Sequence, residues 1–115
     1  MAGIRESTAK ETLFYKIEPQ VLAQICQDVL KKVGKVKSVS RETGVISGKV
    51  KTSFLENKAT IILRISRKDD VTELSIQTSR GEAILSGGGA QKGLVRFMTA
   101  LGADERLKGK SGAGW

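Results

Sequence analysis

Between Thr43 and Thr78 the apolar residues fall on every second position in three successive runs. Ile46, Gly48, Val50, Thr52 and Phe54 share one parity in Val45–Phe54. Ala59, Ile61, Leu63 and Ile65 share it in Ala59–Arg67, and Thr72, Leu74, Ile76 and Thr78 in Val71–Ser79. Side chains of a β-strand alternate between the two faces of a sheet, so this pattern predicts three strands with one apolar face in common. The breaks between runs carry turn chemistry: Glu42-Thr43-Gly44, Leu55-Glu56-Asn57-Lys58 and Lys68-Asp69-Asp70. Short connections of this kind join antiparallel neighbours, and the stretch reads as a meander.

The alternate positions have a different character. They read Val45, Ser47, Lys49, Lys51, Ser53, then Thr60, Ile62, Arg64, Ser66, then Glu73, Ser75, Gln77, Ser79. A face so rich in hydroxyls and cations is wet rather than a second core. It follows that helices cover only one side of the sheet.

Those helices are legible on either side. Pro19 suits the first position of a helix, where its missing N–H costs nothing. Leu22, Ile25, Cys26, Val29, Leu30 and Val33 then recur at helical spacing, and Gly34 follows as a stop. Lys31 and Lys32 lie in the last turn, where the helix dipole favours cations. Ala90, Leu94, Phe97, Met98 and Leu101 mark a second helical stripe, closed by Gly102. Before the first helix, Glu11–Ile17 is a short strand with Leu13, Tyr15 and Ile17 on one face and Phe14 and Lys16 on the other. After it, Lys35–Arg41 is a weaker strand with imperfect alternation. The expected architecture is α+β: a two-layer fold in the order β-α-β-β-β-β-α, with a five-stranded, mainly antiparallel sheet and two helices on one face. Residues 1–9 are expected as a flexible N-terminus, 10–102 as a single domain, and 103–115 as a flexible basic, glycine-rich tail ending in Trp115.

Carried by Thr12–Ile17, Pro19–Val33, the hairpin at Glu42-Thr43-Gly44 and Gly89–Leu101, this order resembles one half-repeat of the TATA-box-binding protein fold. It is also similar to the kinase-associated 1 domain. The first resemblance implies nucleic-acid binding on the open sheet, with phenylalanines wedging base steps apart. The expected open face here has Lys49, Lys51 and Arg64 and no phenylalanine. Phe54 and Phe97 belong to the core and Phe14 to an edge, so no such wedge is expected. The second resemblance implies binding of acidic phospholipid headgroups by clustered basic residues, a part that Lys31, Lys32, Lys35 and Lys37 could play.

The chain of 115 residues carries a formal net charge of +8, unevenly spread. Residues 1–30 are net −1, residues 31–51 are net +6, residues 52–91 balance, and residues 92–115 are net +3. A field of that sign attracts polyanions at long range and weakens with salt. The cations expected to meet an anionic partner are Lys31, Lys32, Lys35, Lys37, Arg41, Lys49, Lys51, Arg64 and Lys92. Lys92 follows Ser86-Gly87-Gly88-Gly89, a glycine-rich entry into the second helix where free N–H groups favour anions. Gly109-Lys110-Ser111 ends like a P-loop, but Asp104 stands where the motif needs glycine.

Several chemistries are excluded at this level. There is no histidine and one cysteine, Cys26, on an apolar stripe. Triads built on histidine and the usual zinc sites cannot be assembled. Asp69-Asp70 reads as turn chemistry. No catalytic residues, metal or cofactor are expected. No apolar run reaches the length of a membrane-spanning helix, and with a single cysteine the expectation is a cytoplasmic protein. The leading expectation is a non-catalytic module for an anionic macromolecule, nucleic acid before membrane. A homodimer through a sheet edge, or another protein-interaction role, is the second, with peripheral binding to acidic phospholipid of an anionic membrane as a further alternative; an enzyme or small-ligand carrier using a cavity between helices and sheet is the third. A small-ligand carrier would instead show a deep pocket lined by Tyr15, Arg64 or Glu73.

Overall fold

In the computed structural model, which describes residues 5–51, 58–82 and 89–110, the alternating stretches form one sheet. The elements are β1 (Arg5–Tyr15), α1 (Pro19–Val33), β2 (Gly34–Ser40), β3 (Val45–Lys51), β4 (Lys58–Lys68), β5 (Val71–Glu82) and α2 (Gly89–Gly102). A short 3-10 turn follows at Glu105–Leu107. The strands lie in the order β1-β5-β4-β3-β2, and every neighbouring pair is antiparallel. The architecture is α+β in the expected order.

One face of the sheet is the core. Ile46, Gly48 and Val50 of β3, Ala59, Ile61, Leu63 and Ile65 of β4, and Thr72, Leu74, Ile76 and Thr78 of β5 are all buried, matching the period-two reading. Thr52 and Phe54 lie outside the described residues. Against this face α1 buries Leu22, Ile25, Cys26, Val29, Leu30 and Val33. α2 adds Ala90, Leu94, Phe97 and Leu101. Helix α1 packs on β2, β3 and β4, while α2 packs on β1, β5 and β4, and the two helices touch. Phe97 is the largest fully buried side chain among the described residues, and burying it contributes about 1.5–3 kcal/mol. Two buried threonines tie the layers together. Thr78 Oγ1 donates to the Ala90 carbonyl of α2 at 2.6 Å, and Thr72 Oγ1 donates to the Ile17 carbonyl at 2.5 Å.

Backbone geometry requires glycine at Gly44 and at Gly48. Gly44 closes the β2–β3 turn at a φ of 70°, and its N–H donates to the Ser40 carbonyl at 2.9 Å. Gly48 lets β2 and α1 close on β3: a Cβ there would stand 2.1 Å from the Lys35 carbonyl oxygen and 3.0 Å from Leu30 Cδ2.

Three sequence expectations need correction. β1 begins at Arg5, not Glu11, and residues 5–10 pair with 77–82 of β5. Residues 1–9 read as flexible because they are polar and small and carry no apolar stripe; pairing with β5 nonetheless makes the described part of that segment a strand. The chain beyond Gly102 also belongs to the body as far as residue 110. Leu107 is buried in the core cluster, and the Lys16 N–H donates to the Lys110 carbonyl at 2.6 Å. Finally, β2 starts at Gly34 and ends at Ser40. Its faulty alternation is a β-bulge between Val36 and Ser38, with Lys37 the extra residue. Trp115 and the Ser86-Gly87-Gly88 loop lie outside the described residues.

Candidate anion-binding face

Among the described residues, no helix lies on the second face of the sheet. Its side chains line up in cross-strand rows, read from the register. One row runs Thr12, Ser75, Arg64, Val45, Ser40; the next runs Lys10, Gln77, Ile62, Ser47, Ser38; the third runs Thr8, Ser79, Thr60, Lys49, Lys35. At one corner Phe14 stands opposite Glu73, itself opposite Ser66, so this face does carry an exposed phenylalanine, contrary to the sequence expectation. Beyond the third row Lys51 stands opposite Lys58. The middle of the platform is half-buried by neighbouring side chains, while Lys10, Lys35, Lys51, Lys58 and Arg64 are exposed.

Charge on this face is concentrated. Lys35 opposes Lys49, and Lys49 and Lys51 point the same way two residues apart on one strand. Directly opposed residues sit about 5 Å apart and alternate residues of a strand about 6.6 Å apart, so four ammonium groups share one corner. Like charges directly opposite each other destabilise a sheet. Lys49 Nζ donates to Thr60 Oγ1 at 2.9 Å, which orients it without neutralising it. Ser38 Oγ and Ser47 Oγ hydrogen-bond at 2.6 Å in the adjoining row. Among the described side chains Glu73 is the one carboxylate of the face. It lies near the corner away from the lysines, 3.4 Å from Lys68 Nζ.

The nine sequence-predicted cations are therefore divided. Lys35, Lys49, Lys51 and Arg64 share the open face. Lys37 sits in the bulge at the sheet edge, and Arg41 lies in the β2–β3 turn. Lys31 and Lys32 are exposed in the last turn of α1, in the helical layer. Lys92 is exposed in the first turn of α2, also in that layer. The two α1 lysines stand beside an acidic cluster. Arg106 donates to Asp104 Oδ2 at 2.7 Å and to Asp28 Oδ2 at 2.9 Å. That guanidinium holds the Asp104 carboxyl at about 2, helped by the charge of Lys32. It also lowers Asp28, with help from Gln24 and Lys31. Lys31 and Lys32 thus have acidic neighbours, unlike the lysine corner of the sheet.

Sequence reading missed Lys10 and Lys58. Lys10 could have been found from the parity of Thr8, Lys10, Thr12 and Phe14 once β1 was extended. Lys58 was assigned to a turn, and only the register shows it opposite Lys51.

Burial pushes the Cys26 thiol up to about 12, so it stays protonated and un-nucleophilic at neutral pH. Burial also raises the Tyr15 hydroxyl to about 12, with a smaller effect from Cys26. Among the described residues no group of three or more His, Cys, Asp or Glu side chains is placed to hold a metal, and no helix is long and apolar enough to cross a membrane. A groove of about 580 Å³ lies between α1 and the β2–β3 turn; Tyr15, Arg64 and Glu73 are not among its lining residues.

Compared with known proteins, the sequence matches no protein-family model and no curated protein.

Proposed function

We propose that this chain is a non-catalytic binding module whose open sheet face takes an anionic macromolecule, nucleic acid foremost. The observation that carries the reading is the lysine corner. Lys35 with Lys49, and Lys51 with Lys58, are two like-charge cross-strand pairs in adjacent positions, with Arg64 and Lys10 on the same platform. Such pairs lower fold stability, and a bound polyanion turns that repulsion into attraction. The surrounding serines and threonines are suited to phosphate and sugar oxygens. The buried, protonated Cys26 agrees with a non-catalytic role, and a reducing, cytoplasmic setting accompanies it.

The test is a fluorescence-anisotropy series against generic DNA, RNA and anionic vesicles. Engaging about four phosphates predicts a slope of log affinity against log salt between about −3 and −5. Affinity for nucleic acid then falls on the order of a hundredfold from about 50 to 200 mM salt. The double variant Lys49→Glu, Lys51→Glu abolishes binding, whereas Lys92→Glu leaves most of it. No binding at low salt, or a response flat in salt, removes the reading; vesicle binding alone transfers it to acidic headgroups.

A second reading rests on the other end of the sheet. β1 is an edge strand of 11 residues paired on one side only. A long edge without a bulge invites pairing with a second copy. Light scattering across a concentration series that shows only monomer excludes it.

A further inference from the structure

The groove beside β2 is independent of the open face. β2 is the last strand of the sheet, and past the bulge at Lys37 its Ser38–Ser40 end, the part that borders the groove, turns alternate N–H and C=O groups away from β3. α1 ends at Val33 and β2 begins at Gly34, so helix and strand meet at that joint and part toward Pro19 and Ser40. The opening is the groove of about 580 Å³. Ala23, Gln24 and Gln27 of α1 form one wall; Val39 and Arg41 form the other; Ile46 lies at the floor. Val39 is 40% exposed there, an apolar side chain on a strand end with solvent above it.

From this geometry we infer that the groove takes an extended acidic peptide segment of a partner protein, which adds to β2 as a sixth strand. Backbone pairing with a free edge supplies affinity, and alternate side chains supply selectivity. One set of peptide side chains enters the groove over Val39 and Ile46, and the glutamine amides of α1 can bond its backbone. Charge chooses the occupant. The exposed edge carries Lys37 at the bulge and Arg41 at the turn. Cations on an edge repel a second copy of the same edge and attract an acidic strand. Glu42 is the one carboxylate among the lining residues, and it sets the acidic positions of the peptide away from the turn, toward Lys37.

The probe is a short fluorescein-labelled peptide alternating valine and glutamate, with its valine–lysine counterpart and a version N-methylated at alternate residues. The full chain is expected to bind the glutamate peptide saturably and the lysine peptide at least tenfold more weakly. N-methylation, which removes the N–H groups a ladder needs, abolishes binding. Val39→Asp and Arg41→Glu, both at exposed positions, each weaken it at least tenfold while the circular dichroism spectrum is unchanged. Amide shifts in a heteronuclear NMR titration map to residues 20–27 and 38–44, and duplex DNA does not displace the peptide. Absence of saturable binding, indifference to N-methylation or to Val39→Asp, equal binding of the lysine peptide, or shifts centred on Lys49, Lys51 and Arg64 would each overturn the inference. Failure of nucleic-acid binding leaves it standing, since none of these readouts uses the open face.

Discussion

Lys35 and Lys49 oppose each other across β2 and β3, and neither has a carboxylate in hydrogen-bond or ion-pair contact among the described residues. Replacing one should therefore help the fold and weaken the proposed polyanion binding. Lys35→Ser is expected to stabilise the protein by about 0.2–1 kcal/mol at low ionic strength. The gain fades as salt screens the pair, because the Debye length falls to about 3 Å at 1 M. Under the proposed reading, nucleic-acid affinity is expected to fall in the same variant. Thermal melts at low and high salt beside one binding curve check both signs; a stability loss at low salt would show that the pair is not repulsive. The buried threonines act on the same scale in the opposite sense. Thr78 spends its hydroxyl on the Ala90 carbonyl, so its position inside the core needs no partner outside the fold.

The β2–β3 pair shows what an element can demand of one position. Gly48 lies on the core face with the Lys35 carbonyl oxygen 2.1 Å from where a Cβ would sit. Backbone, not a flexible side-chain end, must move to admit it. Gly48→Ala is expected to cost about 1–3 kcal/mol, as overpacking generally does, and urea unfolding measures it. In the C-terminal half of α1, Arg106 bridges Asp28 on the helix to Asp104 before the 3-10 turn. Asp104 titrates near 2 when folded and near 3.9 when unfolded. Its depressed value makes it a stabilising group above about pH 4. Below that the unfolded chain takes up a proton that the folded chain does not, and the contribution is lost as pH falls through about 2. Asp104→Asn should thus show a lower urea midpoint at neutral pH and a shallower decline between pH 4 and 2. A decline as steep as in the parent chain would assign the acid sensitivity elsewhere.

Across the molecule, among the described residues, the sheet separates a helical layer from a basic platform without a helix, and the segment to Lys110 packs at the core. Leu107 is 7% exposed within the core cluster although it lies beyond the last helix. Leu107→Ala is expected to cost about 2 kcal/mol or more, and loss on that scale would confirm that the segment to Lys110 belongs to the cooperative unit. A change within about 0.5 kcal/mol, the usual size of a surface substitution, would place it outside that unit. The fold itself was legible because its two periodicities are clean. Ile61, Leu63 and Ile65 alternate; Leu22, Ile25, Cys26 and Val29 step at helical spacing; each pattern reports how a local backbone presents its own side chains. β1 was legible only in part, since Thr8, Lys10 and Thr12 carry no apolar signal and their order comes from pairing with β5. The candidate site was legible in type and not in grouping. Nine cations could be named from charge alone, yet Lys31, Lys32 and Lys92 belong to the helical layer, and Lys10 and Lys58 join the platform unannounced. By itself, the amino-acid order determined which residues turn inward, because the backbone's own repeat sets that. Which lysines stand side by side depends on strand order, register and one bulge. Those are long-range pairings between residues far apart in the chain, and only the tertiary structure decided them.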